Sequence, residues 1–262
     1  MDDTARGDLP AEQRHLPVLL ETSVQLLAPA LQEPGSVHID ATLGMGGHAA
    51  AVLHAAPRAR LVGIDRDPQA LALARERLDR EGVGDRATLV HATYDEIPDV
   101  LAELDLPGAH GVMMDLGLSS FQIDTAERGF SYSVDAPLDM RMDATSDGPT
   151  AADRLRELPE AEIARILHDL GDERFARRIA RRIVGQRETA PLARSGELVE
   201  LLEKAIPAAS KASGGHPAKR TFQALRIAVN EELEILASAI EAALDCLHVG
   251  GRIVVESYHS GE

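Results

Sequence analysis

From residue 37 onward, short apolar runs of β-type residues alternate with helical stretches, a rhythm that confines the chain to a parallel α/β sheet joined by right-handed crossovers. The runs are VHIDATL (37–43), ARLVGID (59–65), ATLVHA (87–92), GVMMDLG (111–117) and RIVVESY (252–258). Helical segments at about 46–55 and 68–81 separate the first three, the second opened by Asp67 as cap and Pro68 as first-turn proline. After the fourth run the rhythm stops for about 130 residues, far more than one crossover needs. Most of that insertion reads as helix. Thr150 with Asp153 predicts a capping box, residues 159–170 form a helix ended by Gly171, and Ser195 caps a run in which Leu198, Leu201 and Leu202 face one way. Over 172–187, Phe175, Ile179 and Ile183 recur every fourth residue while Arg177, Arg178, Arg181 and Arg182 take the other faces. A longer helical pattern over 217–247 carries Phe222, Leu225, Val229, Leu233, Leu236 and Ile240 back to the sheet at Gly250-Gly251, and a short amphipathic helix over 17–27 precedes the first strand. The expected organisation is a discontinuous sheet domain, 1–120 with 216–262, interrupted by a mostly helical domain at 121–215.

The charge balance looks wrong for a nucleic-acid binder. With 27 basic against 43 acidic residues the formal net charge is −16, which repels a polyanion at long range. The average conceals an asymmetry: residues 164–226 hold thirteen Lys or Arg and seven Asp or Glu. A polyanion, if bound, binds there. The single cysteine, Cys246, cannot form an internal disulfide, and MDDTARGDLPAEQR has neither the charge nor the apolar run of a signal peptide. A cytoplasmic location is expected, and no apolar stretch of about 18 residues offers a membrane span. The ten histidines show no paired zinc spacing, so no metal is expected.

Three places carry chemistry. Gly44, Gly46 and Gly47 follow the first strand and open a helix, where glycine permits a sharp turn and lets backbone N–H groups approach a polar ligand. Asp65 ends the second strand, 21 residues after Gly44, where an acid can accept both hydroxyls of an adenosine ribose. These point to a nucleoside cofactor. Gly44 to Ala49 also satisfies G-x-G-x-x-A, so a nicotinamide dinucleotide stays open. Asp115 ends the fourth strand next to the switch point of an open sheet, placed to hold an adenine or a reacting amine. Asp40, an acid inside the apolar first strand, suits an amino-acid ammonium, which S-adenosylmethionine has and a dinucleotide lacks; alternatively it pairs with a loop amide. The third place is RGFSYSVDAPLDMRMD (128–143), an extended or looped stretch. Its Phe130, Tyr132, Asp139, Arg141 and Asp143 suit a pocket that stacks a flat base and reads its edge. Alternatively its Phe and Met pack inward while its charges pair among themselves.

HLPVLL (15–20), DATLGMGGH (40–48), GIDRDPQAL (63–71), DLGLSSFQID (115–124), RGFSYSVDAPLDMRMD and HPAKRTFQALRIAVNEEL (216–233) resemble the bacterial ribosomal RNA small-subunit methyltransferase H family, also called MraW. The resemblance runs along nearly the whole chain from His15. It implies a class I methyltransferase fold, Rossmann-like with an inserted helical domain, using S-adenosylmethionine to methylate the exocyclic N4 of a cytidine in the decoding region of 16S ribosomal RNA. Position by position it implies Gly46, Gly47 and His48 as the cofactor loop, Asp65 as the ribose acid, Tyr94 in place of the family's usual Phe beside the adenine, and Asp115 and Gln122 as further cofactor contacts. Ala136 stands where the family usually has Gly, which matters only at positive φ. The family has His-Ser-Leu-Glu-Asp and further chain where this sequence ends in YHSGE, so the last strands of the sheet are expected to be missing.

Methylating such an amine requires orienting it and accepting its proton, with Asp115 the expected acceptor and Ser119 or Ser120 second to it. The cytidine must be single-stranded or flipped. Arg141, Arg177, Arg181, Lys219 and Arg220, with Arg178 and Arg182, are the expected RNA contacts. The expected partner is 16S rRNA within the small ribosomal subunit, with monomer and homodimer both open. The rivals are an NAD-dependent oxidoreductase, resting on the glycine loop alone, and a non-catalytic RNA-binding or assembly protein.

Overall fold

The structure, a computed structural model, describes residues 17–207, 216–258 and 260–262. They separate into two compact units: the described residues of Met1–Phe121 and Glu234–Ser260 form one, and those of Gln122–Leu233 the other.

The first unit is the sheet. Its strands are β1 (Val37–Asp40), β2 (Arg60–Asp65), β3 (Ala87–His91), β4 (Ala109–Asp115) and β5 (Leu247–Glu256), in the order β3-β2-β1-β4-β5. Every pairing is parallel, so all five carboxyl ends lie along one edge. The order reverses direction between β1 and β4, and at such a switch point the two neighbouring connections leave to opposite sides and open a crevice. All four residues of β1 are buried, as expected of a central strand covered on both faces. On one face Ile39, Ile64, Val112 and Met114 pack with Ile97 and Leu101 of α4 (Ile97–Glu103) and with Leu236 and Ala239 of α11 (Glu232–Asp245). On the other, Leu61 packs with Leu53 of α2 (Gly47–Ala55) and Leu78 of α3 (Pro68–Arg80), while Met113 meets Leu27 of α1 (Leu20–Leu27). Asp67 caps α3 as expected, accepting from the Gln69 N–H at 3.0 Å. The fifth strand starts earlier than its sequence pattern: Ala109 pairs with Leu247 but Gly111 with Arg252, and the extra residues between are absorbed as an irregularity with Gly250 at φ 86°.

The second unit is helical: α5 (Ser120–Asp124) leads into it, followed by α6 (Ala151–Glu157), α7 (Glu160–Asp169), α8 (Ala176–Arg187), α9 (Ser195–Ala205) and α10 (Ala218–Asn230). The Thr150–Asp153 capping box forms. On α8, Ala176, Ile179, Ala180 and Ile183 are buried and Arg177, Arg178, Arg181 and Arg182 exposed, so the i, i+4 pattern sorted that helix correctly.

Three expectations need correction. Ser195 is not a cap but the first buried residue of α9, its hydroxyl donating to the Val134 carbonyl and accepting from the Ala136 N–H, both at 2.9 Å. The single helix over 217–247 is two, α10 and α11, broken at Glu231, whose φ of 53° is left-handed. The Asn230 side chain holds the break: its amide donates to the Met140 carbonyl at 2.7 Å and its oxygen accepts from the Met142 N–H at 2.8 Å. α10 groups with the second unit, where it packs on α6, α7 and α9, whereas the expected return to the sheet was residue 216. No helix among the described residues is long and apolar enough to cross a membrane.

Candidate active site

Four of the five strands end in an acid: Asp40, Asp65, Asp115 and Glu256. Parallel register brings them to one edge, with Asp115 paired directly to Glu256.

Asp40 is 1% exposed; its Oδ1 accepts a long 3.3 Å bond from the Thr42 N–H, and the Ala49 N–H also donates to its carboxylate. Burial, with Asp115 and Asp65 nearby, pushes its carboxyl up to about 7. Asp65 accepts the Gly44 N–H at 2.7 Å and the Asp67 N–H at 2.8 Å. Burial still raises it to about 6 against those two bonds. One Asp65 oxygen thus fastens the glycine loop to β2, and each carboxylate oxygen keeps a second lone pair for a hydroxyl donor. Gly46 sits at φ 75° as the residue before α2, and a Cβ on Gly47 would lie 2.5 Å from Pro17 Cγ. Both positions need glycine, and the N-terminus of a helix suits a carboxylate. Tyr94, half-buried in a 3-10 turn (Tyr94–Glu96), packs beside the core of the same unit.

His48, on the first turn of α2, is buried between two of these acids. Its Nδ1 lies 3.7 Å from Asp115 Oδ2, and its Nε2 lies 3.3 Å from Glu256 Oε1 and 3.0 Å from the Val18 carbonyl. Tyr258 Oη donates to Asp115 Oδ1 at 2.9 Å and stands 3.3 Å from Glu256 Oε2. Ser23 Oγ donates to Glu256 Oε1 at 2.5 Å. Burial raises the Asp115 carboxyl above its usual range, and Glu256 and Glu262 add to that, while Tyr258 and His48 oppose it. His48, Asp115 and Glu256 each bring a ligand atom within 4.8 Å of the others, a spacing a divalent cation can use. Here the Ser23 and Tyr258 hydroxyls already donate to the two carboxylates, so hydroxyls, carboxylates and imidazole form a polar ring whose hydrogen bonds come from the hydroxyl side.

The sequence pointed to Asp40, Asp65 and Asp115, and the fold gathers them. It did not point to Glu256, Tyr258 or Ser23. The available signal was that the fifth strand, like three others, ends in an acid.

The remaining expected residues lie in the second unit. Gln122 is buried in α5. Phe130, Leu138, Met140 and Met142 are buried, so Phe130 is core and offers no stacking face. Tyr132 stacks on His216 at 4.5 Å and meets Phe222 edge-on. Arg141 is engaged within its own loop, with Nε and Nη2 each 2.8 Å from Asp139 and Nη1 on the Ser146 carbonyl; this is the inward-pairing alternative. Ala136 is buried, and its φ is not positive. Arg177 and Lys219 are exposed, Arg181 is 3.6 Å from Glu160, and Arg220 donates to the Asp172 carbonyl while lining a cavity of about 420 Å³ with His168, Glu173 and Arg174.

The chain matches the MraW methylase family over residues 12–262. It is 59% identical over 262 residues to a ribosomal RNA small subunit methyltransferase H from Leifsonia xyli subsp. xyli, an alignment covering 100% of this chain and 78% of that protein. It is 60% identical over 248 residues to the protein of the same name from a Nocardioides species, covering 95% and 77%. A solved structure of a putative rRNA-methylase from Clostridium thermocellum overlaps 40% of this chain and 55% of its own at 23% identity and a TM-score of 0.35, too partial an overlap to argue from.

Proposed function

The chain belongs to the MraW methylase family, and from that premise we propose that it transfers a methyl group from S-adenosylmethionine to the exocyclic N4 of a cytidine in the decoding region of 16S ribosomal RNA. The observation that carries the reading is the row of acids along the carboxyl edge of the sheet. A donor bearing a sulfonium and an ammonium is attracted to such an edge. The pyrophosphate of a nicotinamide dinucleotide would face Asp40, Asp115 and Glu256, so the charge pattern disfavours the oxidoreductase alternative.

When bound, S-adenosylmethionine supplies an electrophilic methyl on sulfur. The α2 N-terminus at Gly46, Gly47 and His48 would receive its carboxylate, Asp40 its ammonium, Asp65 its ribose hydroxyls and Tyr94 its adenine. Asp115 would orient the cytosine amine and take the proton that N4 gives up on methylation. Its raised carboxyl makes it a better proton acceptor than an ordinary aspartate. The second unit holds the RNA backbone through Arg177, Arg181, Lys219 and Arg220, and Arg141 orders the loop over 128–143.

Tritiated methyl transfer to small-subunit particles, followed by nucleoside mass spectrometry, tests this directly. N4-methylcytidine is expected, and a different methylated nucleoside overturns the site assignment. Asp115→Asn should lower turnover by about 10²–10⁴-fold, the usual contribution of a positioned general base. Full turnover in that variant rejects Asp115 as the acceptor, and calorimetry showing no uptake of S-adenosylmethionine rejects the cofactor.

A further inference from the structure

Glu256 is 5% exposed and Tyr258 follows β5, yet neither has a part in the chemistry above. Both reach Asp115 through one hydroxyl. Tyr258 Oη lies 2.9 Å from Asp115 Oδ1 and 3.3 Å from Glu256 Oε2, and a phenol has a single proton to give to two carboxylates. His48 closes the other side of the ring, facing Asp115 Oδ2 at 3.7 Å and Glu256 Oε1 at 3.3 Å. Oδ1 therefore has a donor at hydrogen-bond distance, whereas the neighbour of Oδ2 among these groups, His48 Nδ1, stands off at 3.7 Å.

We propose that Tyr258 and Glu256 are positioning residues for methyl transfer: the Tyr258 hydroxyl fixes the Asp115 carboxylate so that Oδ2 meets the substrate amine, and Glu256 receives that hydroxyl bond once Asp115 is protonated. This rests on Asp115 being the proton acceptor. While Asp115 is ionised it is the nearer acceptor and holds the hydroxyl. When the proton from N4 arrives on Oδ2, Asp115 becomes neutral and Oδ1 a weaker acceptor, and a rotation about the C–O bond redirects the hydroxyl to ionised Glu256. No proton crosses the phenol and no atom changes partner elsewhere. Glu256 is itself held by Ser23, which leaves Oε2 as the oxygen available to Tyr258.

The two residues act on Asp115 with opposite sign. The Tyr258 bond favours the ionised form, and the Glu256 charge disfavours it. The other titratable groups around Asp115 are His48 on α2, Asp40 on β1 and Glu262 at the end of the chain, and both variants leave them in place. The test is the pH dependence of kcat/KM for Tyr258→Phe and Glu256→Gln beside the unaltered chain and Asp115→Asn. Both variants should lower kcat on the order of 10- to 100-fold, the scale of a misplaced reacting group. The acidic limb should move to higher pH in Tyr258→Phe and to lower pH in Glu256→Gln. Tyr258 is 55% exposed, so its variant tests the idea without disturbing a core, and thermal melts register any damage in the other. Loss of rate with limbs unmoved, or moved the same way, overturns the proposal while leaving Asp115 as acceptor. Undiminished turnover in Asp115→Asn removes the acceptor assignment itself.

Discussion

Asp40 carries its charge at a cost that depends on pH. Its carboxyl, ordinarily at 3.8, is raised to about 7 by full burial. Between those values the folded chain holds a proton that the unfolded chain has released, so the contribution to stability falls as pH climbs through this window and stays low above it. The shift corresponds to about 4 kcal/mol at most. Asp40→Asn, which keeps an acceptor for the Thr42 N–H, should stabilise the cofactor-free protein at pH 8 by about 1–3 kcal/mol, with the gain vanishing towards pH 4. Denaturant unfolding at the two pH values checks it, and an equal effect at both would contradict the burial argument. The same variant should bind S-adenosylmethionine more weakly, since the ammonium that Asp40 is proposed to receive loses its counter-charge. Asp65 was legible from its position at the end of β2 and its spacing from Gly44. Its second duty, clamping the Gly44 and Asp67 amides, was not, because backbone hydrogen bonds leave no trace in residue type.

At the level of elements, hydrophobic spacing identified strands and helices well where one face is buried and the other wet, as on α8. It failed at Glu231 because periodicity runs smoothly through the break: Val229, Leu233 and Leu236 keep helical spacing across it. What stops α10 is the Asn230 side chain, which bonds the backbone at Met140 and Met142 some ninety positions earlier in the chain. A non-glycine residue at φ 53° is strained, so Glu231→Gly should raise stability by about 0.5–1 kcal/mol. Its ion pair with Arg154 is 4.0 Å long at an exposed glutamate and adds little. A lower unfolding midpoint in that variant would show that the break is not strained. The sequence 128–143 was read as base-stacking or inward-packing. Burial of Phe130, Met140 and Met142 and the Arg141–Asp139 pair favour the second for those residues, while Ser133, Val134 and Asp135 are exposed.

For the molecule as a whole, charge is divided rather than averaged: the net −16 contains a segment, 164–226, in which cations exceed anions. If Arg177, Arg181, Lys219 and Arg220 hold phosphates, changing all four to Gln should flatten the salt dependence of RNA affinity by roughly 0.7 in log–log slope for each phosphate no longer neutralised. An unchanged slope places the RNA elsewhere. The strands, the glycine loop, three of the four edge acids and the cationic helix were all readable in the linear order, since each depends on spacing within a few turns or one βα unit. The partnership of Asp115 with Glu256 and Tyr258 was not. Those residues are separated by the whole helical unit in the chain, and parallel strand register alone sets Asp115 opposite Glu256. Short-range patterns encode which residues form strands, but the order in which strands pair depends on burying both faces of the sheet at once. Contacts that follow from that packing therefore appear only in the folded protein.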